Sequence, residues 1–206
     1  MVQDYITPDR LLLMSYTLAR KVLDSGFRPD FIVGVWRGGA PIGIAVQEFL
    51  AYHEIKSDHI AIRTSSYEGV GIQGSLQGTC KVVSVHGLQY IIENGNHDNS
   101  LLLVDDIFDT GNSMKAIIDH LSSKMRRNLP SDIRIATVFW KPHKNQTTLK
   151  PYYYCETTSA WVIFPHELEG MSKSDILRWK GPQVAALFDR PEAPSAAAAP
   201  IDVPKK

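Results

Sequence analysis

Two hydrophobic periods organise this chain. Over residues 7–26, Leu11, Leu12, Leu18, Ala19, Val22 and Leu23 recur at helical spacing. Thr7 predicts the N-cap, Pro8 the first helical position, and Gly26 lies beyond the end. A short apolar strand follows at 31–36. Arg37-Gly38-Gly39-Ala40-Pro41 then leads into a helical pattern that runs to about Tyr52. Further strands are expected over 59–65 and 81–85, separated by a Gly-rich segment at 67–78. Leu101, Leu102, Leu103 and Val104 form a wholly apolar strand that runs into Asp105-Asp106-Ile107-Phe108-Asp109-Thr110-Gly111-Asn112-Ser113. A helix of about four turns follows, to roughly Arg127, and the β-branched run 133–140 is another strand. Apolar strands alternating with helices predict an α/β fold with a mostly parallel twisted sheet flanked by helices. No internal repeat is evident.

Composition narrows the function classes. The 206 residues carry 22 basic and 22 acidic side chains, so the formal charge is zero. That balance argues against a protein gripping nucleic acid through its phosphates. No apolar run approaches the roughly 20 residues of a membrane span, and no basic region leads into an apolar run at the N-terminus. Cys80 and Cys155 make neither a disulfide framework nor a metal-ligand spacing, so a reduced, cytoplasmic compartment is expected. Residues 190–206 are Pro/Ala-rich and read as a disordered tail, with a cloning remnant as the plain alternative. Removing them takes away three basic and two acidic residues and leaves the body near neutral.

The chemistry concentrates at strand ends, where open α/β sheets bind ligands. Asp105, Asp106 and Asp109 place three carboxylates within five positions, which calls for a divalent cation or a vicinal diol. Thr110, Gly111, Asn112 and Ser113 then offer hydroxyls, an amide and backbone N–H groups at a helix N-terminus, an anion cradle. An acid site followed at once by a phosphate cradle fits a ribose 5-phosphate; the plain alternative is an Asp-rich capped turn. The glycine spacing matches neither a Walker A loop nor a GxGxxG fingerprint. Arg37, Gly38 and Gly39 form a plausible pyrophosphate nest, although Gly-Gly before a helix is often only a turn. Lys141 ends a strand, a place where a lone Lys is usually solvated.

The segment LLLVDDIFDTGNS resembles the phosphoribosyl pyrophosphate signature of type I phosphoribosyltransferases. VWRGGAP resembles the pyrophosphate loop of that family, and Thr64-Ser65-Ser66-Tyr67 the start of its mobile lid. Lys141-Pro142 followed by SAWVIFPHE resembles the purine-binding part of the 6-oxopurine (xanthine–guanine and hypoxanthine–guanine) branch. The resemblance covers about residues 31–167.

It implies transfer of the phosphoribosyl group from phosphoribosyl pyrophosphate to guanine, xanthine or hypoxanthine, with release of pyrophosphate, in purine salvage. Asp105 and Asp106 would hold the ribose hydroxyls, directly or through Mg2+, and Asp109 would act as general base near N7. Thr110, Gly111, Asn112 and Ser113 would bind the 5′-phosphate. Arg37 and Gly38 would contact pyrophosphate, beside the strained peptide bond found in many relatives. Ser66 and Tyr67 would belong to the lid. Lys141 would donate to the 6-oxo group, Trp161 would stack on the base and the Val162 backbone would read its edge. Glu167 matches a position near the second magnesium or the base 2-substituent, where the family commonly carries Asp.

The resemblance further implies one phosphoribosyltransferase domain over 1–189, with a base-binding hood mainly at about 141–181, in a homodimer or homotetramer. Asn112 departs from the Lys or Arg of many relatives, and His166 and Glu167 depart from more usual choices. Trp36 suggests no function. Two alternatives remain at this level: a nucleotide-sensing regulator of the same fold that binds nucleic acid, and a phosphoribosyltransferase for another nucleobase. Tyr152, Tyr153 and Tyr154 read as an edge strand. Lys124, Arg126 and Arg127 read as cations complementing a helix C-terminus.

Overall fold

The computed structural model describes residues 2–68 and 81–189. They fall into two compact units, one ending at Phe164 and the other beginning at Pro165. The hood expected at about 141–181 thus spans the end of one unit and the start of the other. The tail at 190–206 and the glycine-rich residues 69–80 lie outside the described residues.

The first unit is built on a six-stranded sheet. Its strands are β2 (Phe31–Trp36), β3 (Asp58–Glu68), β4 (Lys81–His86), β5 (Ser100–Phe108), β6 (Asp132–Trp140) and β7 (Tyr153–Thr157), in the order β4-β3-β2-β5-β6-β7. All neighbours are parallel except β3 and β4, which pair antiparallel from Arg63↔His86 to Glu68↔Lys81. The expected mostly parallel α/β architecture is therefore the one observed. β3 runs three residues past its expected end at 65, so Ser66 and Tyr67 sit within the ladder, opposite Val83 and Val82.

Strand β5 lies between β2 and β6, and both of its faces are covered; this is why Leu101, Leu102, Leu103 and Val104 are all apolar. Leu102 and Val104 pack with Leu18 and Val22 of helix α1 (Pro8–Asp24) and with Ile42 and Val46 of α2 (Gly39–Tyr52). Leu101 and Leu103 pack the other way, with Ile91 of α3 (Gln89–Asn94) and with Met114, Ile117 and Leu121 of α4 (Asn112–Met125). The period of two along β5 thus divides the core into two layers.

Helix α1 starts as expected: the Thr7 side chain accepts from the Arg10 backbone N–H at 3.2 Å, and Pro8 opens the helix. Helix α4 ends at Met125 and passes into a 3-10 turn, Arg126–Asn128, so the α-helix stops two residues short of its expected end.

A second, two-stranded sheet was not anticipated from the sequence. β1 (Gln3–Tyr5) pairs parallel with β8 (Trp161–Ile163), in the register Gln3↔Trp161, Asp4↔Val162, Tyr5↔Ile163. Arg10 anchors this corner, pairing with Asp4 at 3.4 Å and Glu156 at 3.0 Å. The second unit carries α5 (Lys173–Lys180), with a Ser172–Asp175 capping box, and the short α6 (Pro182–Ala186).

Candidate active site

Three strand ends converge at the carboxyl edge of the sheet: those of β2, β5 and β6. The acids Asp105 and Asp106 belong to β5 itself, and Asp109 lies one residue past its end. Burial and the neighbouring charge of Asp106 push the Asp105 carboxyl well above the usual carboxylate range. Backbone N–H groups of Asp106 and Gly39 donate to that carboxylate and act the other way; the Asp106 bond is 2.9 Å.

The segment after β2 packs directly against these acids. The Trp36–Arg37 peptide bond is cis. A Cβ at Gly39 would stand 2.3 Å from the Val104 carbonyl oxygen and 2.8 Å from Asp105 Cα, so only glycine fits. Gly39, the second glycine of the expected pyrophosphate nest, thus has a packing reason as well.

The N-cap of α4 is Gly111, which has φ +81° and offers no side-chain cap. A Cβ there would meet Thr147 Oγ1 at 2.6 Å and the Phe108 ring at 2.8 Å. The Thr110 hydroxyl accepts from the Asn112 N–H at 3.3 Å. With no side chain at the N-cap, the first-turn backbone donors beyond Asn112 are left for an anion.

A segment after β6 folds over this turn. The Gln146 N–H donates to the Thr110 carbonyl at 2.9 Å, and Asn112 Nδ2 donates to Gln146 Oε1 at 3.2 Å. Lys141 is held by its backbone N–H, which donates to the Phe108 carbonyl at 2.9 Å. Its side chain is only 3% exposed, contrary to the solvated lysine usual at a strand end. The ammonium lies 3.3 Å from Asp109 Oδ2 and 5.7 Å from the centroid of the Trp161 ring, within cation–π range. Lys144 joins it, with Nζ 3.6 Å from the same oxygen. The other oxygen, Asp109 Oδ1, is buried with no hydrogen-bond partner among the described residues.

Trp161 is half exposed, at 51%, at the start of β8, whereas Val162 is buried. The Trp161 N–H donates to the Val2 carbonyl, and the Ile163 carbonyl accepts from Ile6. Alternate residues of a parallel strand bond the same neighbour, so the Val162 N–H and C=O face away from β1. The structure thus brings Asp105, Asp106, Asp109, Lys141 and Trp161 to one edge, along with the cradle at 110–113. Arg37 and Gly38 come from the β2 side. Side chains of Ser66 and Tyr67 lie outside the described residues. Glu167 belongs to the second unit, where its charge partly offsets the lowering that burial imposes on the Lys180 ammonium.

This sheet order, with its acid-bearing strand end and uncapped helix start, is that of a phosphoribosyl-transferring fold. The chain belongs to the phosphoribosyl transferase domain family, whose model matches residues 9–170, and it is an enzyme of that class. Among solved structures it is similar to a purine phosphoribosyltransferase from Pyrococcus horikoshii. The two are 25% identical, with a TM-score of 0.61, over 84% of this chain and 98% of that one. It is also similar in fold to a Neisseria gonorrhoeae protein with bound ppGpp, at 18% identity and a TM-score of 0.70, over 91% and 98% of the two chains. A third likeness is to the Helicobacter pylori xanthine-guanine-hypoxanthine phosphoribosyltransferase. It shows 20% identity and a TM-score of 0.56, over 81% of this chain and 95% of that one. No curated protein sequence matches. Among the described residues, no helix is long and apolar enough to cross a membrane.

Proposed function

We propose that this enzyme transfers the 5-phosphoribosyl group from phosphoribosyl pyrophosphate to a 6-oxopurine (guanine, xanthine or hypoxanthine), releasing pyrophosphate, as a step of purine salvage in the cytoplasm. The observation that carries this reading is the buried Lys141 ammonium, set between Asp109 and the face of Trp161. A base stacked on Trp161 meets a fixed donor suited to a 6-oxo group and the unpartnered Asp109 Oδ1 suited to a ring N–H.

Each remaining residue then has a task. The N–H groups and hydroxyls at Thr110, Gly111, Asn112 and Ser113 hold the 5′-phosphate at the start of α4. Asp105 and Asp106 hold the ribose hydroxyls. Arg37 and the backbone at Gly38 bind the departing pyrophosphate. The Val162 backbone reads the edge of the base, and Asp109 accepts its proton. Ser66 and Tyr67, with the segment that follows them, close over the site and exclude water that would hydrolyse the activated sugar.

Magnesium fits this site. Two adjacent acids, one with its carboxyl raised by burial and by its neighbour, favour a divalent countercharge. Among the described residues no cluster of three His, Cys, Asp or Glu forms a ready cage. Mg2+ is commonly held by one or two carboxylates together with substrate oxygens, so Asp105 and Asp106 suffice as its protein ligands. Glu167 is proposed as a ligand of a second ion. Bound Mg2+ would neutralise charge developing on the pyrophosphate.

Release of pyrophosphate from phosphoribosyl pyrophosphate and Mg2+, dependent on an added base, tests the reading. No release with guanine, xanthine or hypoxanthine would refute it. The assembly is proposed to be a homodimer or homotetramer.

A further inference from the structure

Asp109 is held asymmetrically. Lys141 and Lys144 both direct their ammonium groups at Oδ2, at 3.3 and 3.6 Å, while Oδ1 is buried with no hydrogen-bond partner among the described residues. The two lysines reach one oxygen because of the local backbone. Pro142–Lys144 is a 3-10 turn that Lys141 precedes, and the Lys144 N–H donates to the Lys141 carbonyl at 3.0 Å. Residues three apart in such a turn project to the same side. The turn is pinned in turn to the cradle loop through Gln146 N–H to Thr110 and through Asn112 to Gln146 Oε1.

From this arrangement we infer that Lys144 is a positioning residue for Asp109: it holds Oδ2 so that Oδ1 stays aimed at the base. The inference rests on the proposed function for the identity of the base, but the pairing itself is a property of the protein alone. The reason a second lysine is needed lies with Lys141. Its ammonium is buried and lies close to Asp109 and to the Trp161 face. When a base occupies that face, Lys141 must share its three N–H donors with the 6-oxo group. Lys144 carries no such second duty. It is 40% exposed, reaches Asp109 from the open side and keeps the carboxylate from rotating when Lys141 engages the base. Asn112, in place of a cation, bonds its amide to Gln146 and helps fix the turn that carries Lys144.

The test is a double-mutant cycle between Lys144→Met and Asp109→Asn, with Lys144→Arg as the conservative variant. Lys144→Met is expected to lower kcat about tenfold, leave the KM for phosphoribosyl pyrophosphate and for the base little changed, and leave the melting temperature unchanged. Lys144→Arg should recover most of the rate. In the Asp109→Asn background, Lys144→Met should have no further effect, because its role runs through that carboxylate. An equal loss in both backgrounds overturns the inference, and so does a raised KM for phosphoribosyl pyrophosphate at unchanged kcat, which would make Lys144 a phosphate contact. A separate measurement needs no turnover: 15N spectra of the lysine ammonium groups in substrate-free protein. Asp109→Asn should move the Lys141 and Lys144 signals together. Movement of Lys141 alone overturns the pairing. A wild-type enzyme inactive with every base would count against the proposed function, and the spectra would still decide the pairing.

Discussion

A Cβ atom on Gly38 would stand 1.7 Å from Asp106 Oδ2 and 2.2 Å from its Cγ, so the backbone at 38 and the carboxylate of Asp106 fill adjoining space. Neither can change without moving the other. Gly38→Ala is therefore expected to displace Asp106 and weaken binding of the magnesium salt of phosphoribosyl pyrophosphate by about tenfold or more, which is about 1.4 kcal/mol. Titration calorimetry measures this. Wild-type affinity in the variant would show that the position of Asp106 does not matter to binding.

The start of α4 makes a second prediction. Gly111 combines a positive φ with close approach to Thr147 and Phe108, so Gly111→Ala meets both backbone strain and overlap. A loss of about 1–3 kcal/mol is expected, read as a lower urea midpoint. An unchanged midpoint would mean that the turn relaxes freely.

A third prediction concerns the sheet edge, away from the chemistry. The Tyr153 hydroxyl lies 2.7 Å from Ser25 Oγ and accepts from Arg134 at 2.7 Å; Arg134 is itself sandwiched between the rings of Phe27 and Tyr152. Tyr153→Phe removes the hydroxyl to which Arg134 Nη1 donates, while Ser25 keeps its bond to the Val22 carbonyl, at a cost of about 1–3 kcal/mol in unfolding free energy. Denaturation in urea gives the value, and kcat should be little changed.

Cys155 provides a pH test. Burial pushes its thiol up to about 11; Lys21 acts against this to a smaller extent, and Glu156 adds slightly to it. The thiolate is the reactive form, so at pH 8 only about one molecule in a thousand carries it. With Cys80 replaced by Ser, native protein should resist iodoacetamide at pH 8. Labelling should rise about tenfold per pH unit up to about pH 11 while the fold persists. Rapid labelling of the folded protein at pH 8 would contradict the burial.

Much of the site was legible because its chemistry is local. Asp105 to Ser113 lie consecutively on one strand end and one helix start, so spacing alone places acids beside an anion cradle. The β5 core was equally plain, since a strand covered on both faces must be apolar throughout. The β1–β8 pair was not legible. Each strand has three residues, too few for a period, and the partners lie far apart in the chain. Lys144 was also missed, because a single lysine after a strand reads as solvated. The one available signal was Pro142, which favours a tight turn and brings residues 141 and 144 to the same side. The packing reason for Gly39 was not legible, because only the approach of Val104 and Asp105 shows why a side chain is excluded.

The central claim is that a buried Lys141 beside Asp109 and Trp161 selects a 6-oxopurine. The most direct measurement is kcat/KM for hypoxanthine against adenine, with phosphoribosyl pyrophosphate and Mg2+ held constant and nucleotide formation followed. A site that donates to the 6-oxo group should favour hypoxanthine by about a thousandfold or more, since adenine presents an amino group to that donor. Comparable values for the two bases would contradict the account.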